Sequence, residues 1–595
     1  MSKNSVLIGG ASGFWGDSQI AVPQLLRQQG LQYLVFDYLA ETTMSILQRA
    51  RLRAPELGYA TDFVTAAVGP HLREIKAKGI RLVSNAGGLN PAGCRDAILA
   101  LAREQGVELK VAIVTGDNVL ELQPRFEPWG DEAMADLPAL MSANAYLGAA
   151  PIAQALAAGA DIVVTGRCVD SATLLGIAIH EFGWRLTDYD RLAQASLAGH
   201  LVECGAQATG GLFTDWEQVP DWADIGYPLV RLQADGSFEL SQPAGAGGLV
   251  TRQTVGEQLL YEIGDPAAYE LPDVVCDFSQ VTITDLDGGR VRVQGARGRA
   301  PGGRYKVTAT YQQGWHIAIM MAIRGQRALA KAQRTADALL ARTRRQMQAA
   351  GFADYEDTLV ELLGAESMYG PHRRVTESRE IVLRIAARHR DRRALTFLQK
   401  EASSAGTSMG PGTRSHFGGR SDVQSIIRTA SFLLPKGAVA VQVQAAADQA
   451  PVAVDRFDAG PQPAAPNPPA ATAPAAATAA AAGPTVRIAL GRIAHGRSGD
   501  KGDDANIGLM ARHPQWLPVL REQLTAERVL AYFAHLVQGP VQRYELPGLG
   551  AFNFVLRRAL GGGGSCSLRS DPLGKCYAQM LLDMEIDCPE DLVPR

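Results

Sequence analysis

The chain opens with an apolar run, Ser5-Val6-Leu7-Ile8, that gives way to glycine and small polar residues, and the same rhythm returns four more times. Tyr33-Leu34-Val35-Phe36, Ile80-Arg81-Leu82-Val83, Leu109-Lys110-Val111-Ala112-Ile113-Val114 and Asp161-Ile162-Val163-Val164-Thr165 are short apolar runs that end in turn residues. Segments with helical spacing lie between or after them, at 20–29, 93–105, 152–158 and 172–182. Near-continuous apolar strands alternating with helices predict an α/β fold with a parallel, doubly wound sheet. Ligands gather beyond the carboxyl ends of strands in such sheets, so the loops at 9–16, 37–41, 85–88, 117–118 and 166–171 are expected to converge on one edge.

From about residue 212 the pattern loosens. Pro220, Pro228, Pro243 and Gly245-Ala246-Gly247-Gly248 break it, and two-residue alternation at 281–283, 290–293 and 305–310 predicts an α+β extension. Helices are predicted over 328–349, 358–363 and 393–403, with a strand at 380–386. Residues 461–484 are almost wholly Ala, Pro and Thr, which have nothing to bury and behave as a semi-extended linker. Beyond it, apolar runs at 486–490 and 552–556 read as strands, and 517–538 and 575–584 as helices. The predicted organisation is a large domain over 1–460, a linker over 461–484 and a small α+β domain over 485–595.

Charge and cysteine usage narrow the function classes. Lys plus Arg at 58 nearly balance Asp plus Glu at 61, so nucleic acid is not an expected partner. The N-terminus lacks the apolar core of a signal peptide and no run is long enough to span a bilayer; a soluble cytoplasmic protein with no membrane partner is expected. The seven cysteines are scattered without a CxxC pair, which argues against a zinc ribbon, an iron–sulfur cluster or a disulfide framework, and no metal site is assigned.

The densest chemistry follows the fifth apolar run. Gly166-Arg167-Cys168-Val169-Asp170-Ser171 places a planar guanidinium and a carboxylate at a strand end, where an anionic ligand is expected. His200-Leu201-Val202-Glu203-Cys204-Gly205 adds an imidazole, a carboxylate and a thiol; the alternative is that His200 and Cys204 are ordinary neighbours on one helix face. Asp117, Asp170, His200, Glu203 and Cys204 are therefore the candidate catalytic residues. Gly10, Ser12 and Gly13 lie in Gly10-x-x-Gly13-x-x-Gly16, which resembles the nucleotide loop of short-chain dehydrogenases, with Asp37 where such enzymes bind a ribose hydroxyl. The bulk of Trp15 and the lack of a Tyr-x-x-x-Lys pair favour a plain strand-to-helix turn over a nicotinamide site. Near the C-terminus, Arg497-Ser498-Gly499-Asp500-Lys501-Gly502 could form an anion nest, or a polar hairpin whose charges satisfy one another.

Taken together, Gly9-Gly10-Ala11-Ser12-Gly13-Phe14-Trp15-Gly16, Asp37-Tyr38-Leu39-Ala40-Glu41, Asn85-Ala86-Gly87-Gly88, Thr165-Gly166-Arg167-Cys168-Val169-Asp170, Glu203-Cys204-Gly205-Ala206-Gln207-Ala208-Thr209-Gly210-Gly211 and the Arg497 motif resemble the AtuA family of acyclic terpene utilisation proteins. The resemblance implies a large AtuA domain joined to a ferredoxin-like domain. It also implies a setting in the breakdown of terpenoid or branched-chain acids, with coenzyme A present as part of the substrate; no other cofactor is fixed. Gly10, Ser12, Gly13, Asp37, Glu41, Asn85, Gly87, Gly88, Arg167, Arg497, Ser498 and Lys501 are the expected substrate-binding residues, in an enzyme of hydratase, lyase or hydrolase type that is expected to be a homo-oligomer. The alternatives are a non-catalytic binding or scaffold subunit of the same pathway and an NAD(P)-dependent oxidoreductase.

Overall fold

A computed structural model of the chain describes residues 4–129, 137–415, 419–454, 484–564 and 566–594. Five strands form the middle of its largest sheet: β1 (Ser5–Gly10), β2 (Tyr33–Phe36), β3 (Arg81–Ser84), β4 (Val111–Thr115) and β5 (Ile162–Thr165). They pair in parallel in the order β1-β2-β3-β5-β4. Alternate side chains divide between two apolar cores, as the two-residue period of a strand requires. Leu7, Leu34, Phe36, Leu82, Ile113 and Val164 pack with the helices Ala21–Leu26, Glu41–Arg53 and Pro91–Gln105. Ile8, Tyr33, Val35, Val83, Val114 and Val163 face the helices Ala150–Ala157, Ala172–Phe182 and Tyr189–Val202.

The sheet is mixed, not parallel throughout. Leu229–Gln233 pairs antiparallel with β1 and continues through Phe238–Ser241, Arg290–Gln294 and Thr282–Leu286, while Gln442–Gln444 and Val452–Ala453 close the other edge beside β4. These edge strands carry alternating polar residues, as antiparallel strands with one wet face do.

A second, seven-stranded sheet is built on one long strand, Arg304–Arg324, which pairs antiparallel with Glu380–His389 and Gln424–Pro435. The helices Ala328–Ala349 and Arg392–Ser408 cover one of its faces. The predicted helix at 358–363 is instead the strand Asp357–Leu363. Its apolar run is too short to separate helix from strand by period, and pairing with Glu380–His389 settles it.

Residues 484–594 form a separate apolar core around a four-stranded antiparallel sheet, in the order Ala494–Lys501, Asp504–Ala511, Ala551–Leu556, Val541–Leu546. The Arg497 motif is therefore a β-hairpin that turns at Gly502, whose φ is 66°. Most of the predicted linker, 461–484, lies outside the described residues. No helix among the described residues is long and apolar enough to cross a membrane.

Candidate functional site

The five strand-end loops meet through side chains. Asn85, fully buried after β3, donates to Asp37 Oδ1 at 2.6 Å and accepts the Tyr38 amide at 2.8 Å. The Ser12 hydroxyl donates to the Asp37 carbonyl at 3.1 Å. Arg167 Nη1 donates to the Leu39 carbonyl at 2.5 Å and to Asp170 Oδ1 at 3.0 Å. Asp117 Oδ2 accepts the Arg167 amide at 2.9 Å and Asn144 Nδ2 at 2.8 Å. Asp117 thus shapes the Arg167 loop, and burial pushes its carboxyl up to about 6.

Four amides of the glycine loop after β1 are committed. The Gly10 amide bonds the Pro228 carbonyl at 2.9 Å and that of Ala11 bonds Val35 at 2.8 Å. Gly13 donates to Asp17 Oδ2 at 2.8 Å and Gly16 to Asp62 Oδ2 at 2.9 Å, so two carboxylates of the chain itself stand where a phosphate would need to be. Glycine is required here for close approach: a Cβ on Gly13 would lie 2.6 Å from the Cys204 carbonyl carbon, and one on Gly10 2.7 Å from the Val202 oxygen. Gly87 plays the same part against the end of β5, and Gly88 against the Gly58 carbonyl.

Beside these loops lies a charged recess. Glu41, the first residue of the helix Glu41–Arg53, accepts the Tyr146 hydroxyl at 2.7 Å and pairs with Lys306 at 3.3 Å. Two cations lie against the Tyr146 ring, with the Arg167 guanidinium carbon 4.2 Å and Lys306 Nζ 4.9 Å from its centroid. Burial disfavours the Glu41 carboxylate, but Lys306, Arg167 and Lys501 outweigh it and hold the group well below the usual carboxylate range. His200, near the end of the helix Tyr189–Val202, places Nδ1 3.0 Å from Glu203 Oε1 and Nε2 3.2 Å from the Leu259 carbonyl. A carbonyl accepts only, so Nε2 carries a proton and Nδ1 faces the carboxylate. Burial opposes the imidazolium, yet Glu203 outweighs it and raises the His200 pKa; burial likewise raises that of Glu203, against the attraction of His200.

The C-terminal unit brings two lysines to the border of this recess. Lys501, at the end of its hairpin strand, pairs with Glu262 at 3.1 Å, and its charge is felt at Glu41, Asp170, Tyr269, His200 and Glu203. Burial works against the Lys501 ammonium, but Glu262, Tyr269 and Glu41 raise its pKa well above the usual value. Its side chain keeps 46% of its surface open to water and that of Glu41 26%, as expected of groups lining a recess. Lys575 binds the Tyr261 hydroxyl, Glu262 at 2.9 Å and Asp500 at 3.0 Å. Glu262 holds a φ of 55°, a left-handed conformation that side chains seldom adopt, at the point where both lysines reach it.

Arg497 and Ser498 are engaged elsewhere. Arg497, almost fully buried, donates to Gln207 Oε1 at 2.7 Å, the Gly211 carbonyl at 3.0 Å and the buried Glu257 at 3.2 Å. Ser498 donates to the Gly574 carbonyl at 2.7 Å and accepts the Ala578 amide at 2.9 Å. Arg497 fastens the two units together, whereas Ser498 ties its strand to the segment 574–578 of its own unit, and neither lines the recess. Burial, followed by the charges of Glu203, Glu262 and Asp37, pushes the Cys204 thiol well up, so it lacks the thiolate that nucleophilic attack needs. Burial and the charges of Asp170 and Glu203 likewise raise Asp37.

Of the residues expected from sequence, Asp37, Glu41, Arg167, Asp170, His200, Glu203, Cys204 and Lys501 come together. Tyr146, Lys306, Glu262, Tyr269 and Lys575 were missed. Lys306 carried a faint signal as a cation within an alternating strand; the others carried none. Among the described residues no three His, Cys, Asp or Glu side chains stand as a metal-ligand set.

A mixed α/β unit joined by ion pairs and hydrogen bonds to a small antiparallel unit defines a two-part protein with a cluster of charged side chains at the junction. The sequence profile of the acyclic terpene utilisation family protein AtuA matches residues 6–445, and that of the AtuA ferredoxin-like domain matches residues 488–587. The chain belongs to the AtuA family of acyclic terpene utilisation. No curated protein matches it.

Proposed function

We propose that the chain is an enzyme that moves protons on an acyl-CoA thioester or related carboxylate during breakdown of acyclic terpenoid or branched-chain acids, of hydratase, lyase or hydrolase type. The observation that carries this reading is Lys501, an ammonium delivered by one unit among the carboxylates of the other. A carbonyl or carboxylate oxygen entering there gains charge stabilisation from Lys501 and Lys306 as negative charge develops on it. Glu203, whose proton is held more tightly because of burial, is the acid–base group; His200 steadies it, since both imidazole nitrogens are already engaged. Arg167 is a positioning residue, its Nη1 spent on Leu39 and Asp170. In fold terms the five parallel strands act as a doubly wound centre with its ligand at the carboxyl ends. The committed amides of the glycine loop weigh against the nicotinamide alternative.

The test is incubation with a panel of branched acyl-CoA esters, read by mass spectrometry, beside titration calorimetry on the variants. Glu203→Gln should lower turnover on the order of 10²–10⁴-fold with binding retained. Binding of an ester by the parent protein with no product from any member of the panel would turn the reading toward a binding subunit.

A further inference from the structure

The helix Glu41–Arg53 begins in the recess and ends at a groove of about 750 Å³ bordered by Arg49, Arg53, Arg392, Trp315, Asp422 and Gln424. That volume lies within the range of small-molecule sites. Three guanidinium groups face a single carboxylate, Asp422. Neither Arg49 nor Arg53 has a hydrogen-bond or ion-pair partner among the described residues. Burial and the like charge of Arg53 lower the Arg49 pKa, and burial with the charges of Arg49 and Arg384 lowers that of nearby His316. Arg392 holds its guanidinium carbon 5.6 Å from the Trp315 ring centroid, which places a flat cation and a flat aromatic surface together.

Planar stacking surfaces beside forked donors suit a purine that carries clustered phosphates. Helical rise sets Arg49 and Arg53 about 12 and 18 Å from Glu41 along the axis, comparable with a pantetheine arm. The strand Arg304–Arg324 makes the same link from the other side, with Lys306 in the recess and Trp315 in the groove.

We propose that this groove binds a phosphorylated purine nucleotide, and that it anchors the phosphorylated adenosine end of a coenzyme A thioester whose acyl end lies in the recess. The second half rests on the acyl-CoA reading above; the first does not. Titration calorimetry on the full chain with adenosine bisphosphate, coenzyme A, adenosine and pyrophosphate tests both. Adenosine bisphosphate and coenzyme A should compete for one site, with adenosine and pyrophosphate each weaker. Removing guanidinium groups in the Arg49→Ala, Arg53→Ala double variant should weaken binding on the order of ten- to hundredfold per group. Trp315→Leu should weaken the nucleotide but not pyrophosphate, a readout that general unfolding would not give. No binding of adenosine bisphosphate, equal binding of pyrophosphate, or full binding in the double variant would overturn the groove. Failure of coenzyme A to compete would overturn its assignment as the source. Adenosine bisphosphate carries no acyl group, so these results report on the groove alone, whereas the acyl-CoA panel reports on the recess.

Discussion

Two glycine-rich segments, 9–16 and 496–502, have the composition of phosphate loops, and the structure uses both to bring backbones close. They differ in what the close approach delivers. The first closes on the chain's own carboxylates, Asp17 and Asp62, and packs Gly13 against Cys204. The second packs Gly499 against Tyr261 and Glu262 and carries Lys501 into the recess. Glycine spacing therefore reports proximity, and the neighbouring charged side chain decides whether proximity becomes chemistry.

The sharpest way to break this contrast is a pair of variants. Lys501→Met should lower kcat/KM on the order of 10²–10³-fold, the loss that follows removal of one preorganised donor to developing charge. Asp17→Asn should leave kcat/KM near that of the parent and show itself only in stability. Equal losses in kcat/KM would make the first loop part of the site after all.

Next in size is packing, measured by chemical denaturation. Gly13→Ala drives a methyl into the Cys204 backbone, which has little room to move, and should cost about 3 kcal/mol. At Gly499 the obstacles are the side chains of Glu262 and Tyr261, and the Ala variant should cost about 1 kcal/mol. The reverse order would mean that the second loop is the more rigid.

Two buried carboxyls, Asp117 beneath the Arg167 loop and Glu262 beneath the second glycine segment, should respond to pH with opposite sign. Burial raises Asp117 to about 6, so the folded chain holds a proton that the unfolded chain releases from about pH 4 upward. Stability from this group is greatest below its unfolded pKa and falls as pH rises to about 6, by at most about 1.4 kcal/mol per pH unit. Glu262 is the converse: burial opposes its charge, but Lys501 and Lys575 bring it down to about 2. Its contribution is complete above its unfolded pKa, about 4.5, and drains away as pH falls toward 2. Asp117→Asn should flatten the melting profile between about pH 4 and 6, and Glu262→Gln the limb below; unchanged profiles would dismiss both assignments. The smallest effect belongs to Cys204→Ser, which should leave turnover nearly unchanged. A trapped thioester on Cys204 would reverse that.

The buried parallel strands were legible because a strand covered on both faces writes an unbroken apolar run. The convergence of Ser12, Asp37, Asn85, Asp117 and Arg167 followed from that pattern. Two of the edge strands showed as two-residue alternation at 281–283 and 290–293, but their place in the sheet did not, since register depends on partners far along the chain. The strand Asp357–Leu363 is a further case, decided by pairing that local periodicity cannot see. In the recess, Lys306 and Tyr146 are far apart in sequence and meet only through the fold of the large unit, and docking of the second unit is what brings Lys501 to Glu262. Arg497 and Ser498 were legible as residue types but not in direction, because a hairpin turns alternate side chains to opposite faces.

The bond between Arg497 and Glu257 has a consequence for how the two units coexist. Glu257 is wholly enclosed, and apart from the Thr214 amide at 3.1 Å it draws its compensation from a guanidinium some 240 positions away. Made as a separate polypeptide, residues 1–454 would carry an orphaned acid that must take up a proton or open to water, at a cost of several kcal/mol. The stretch that joins the units then acts as a tether, converting a bimolecular encounter into a local one and keeping each half at high effective concentration for the other.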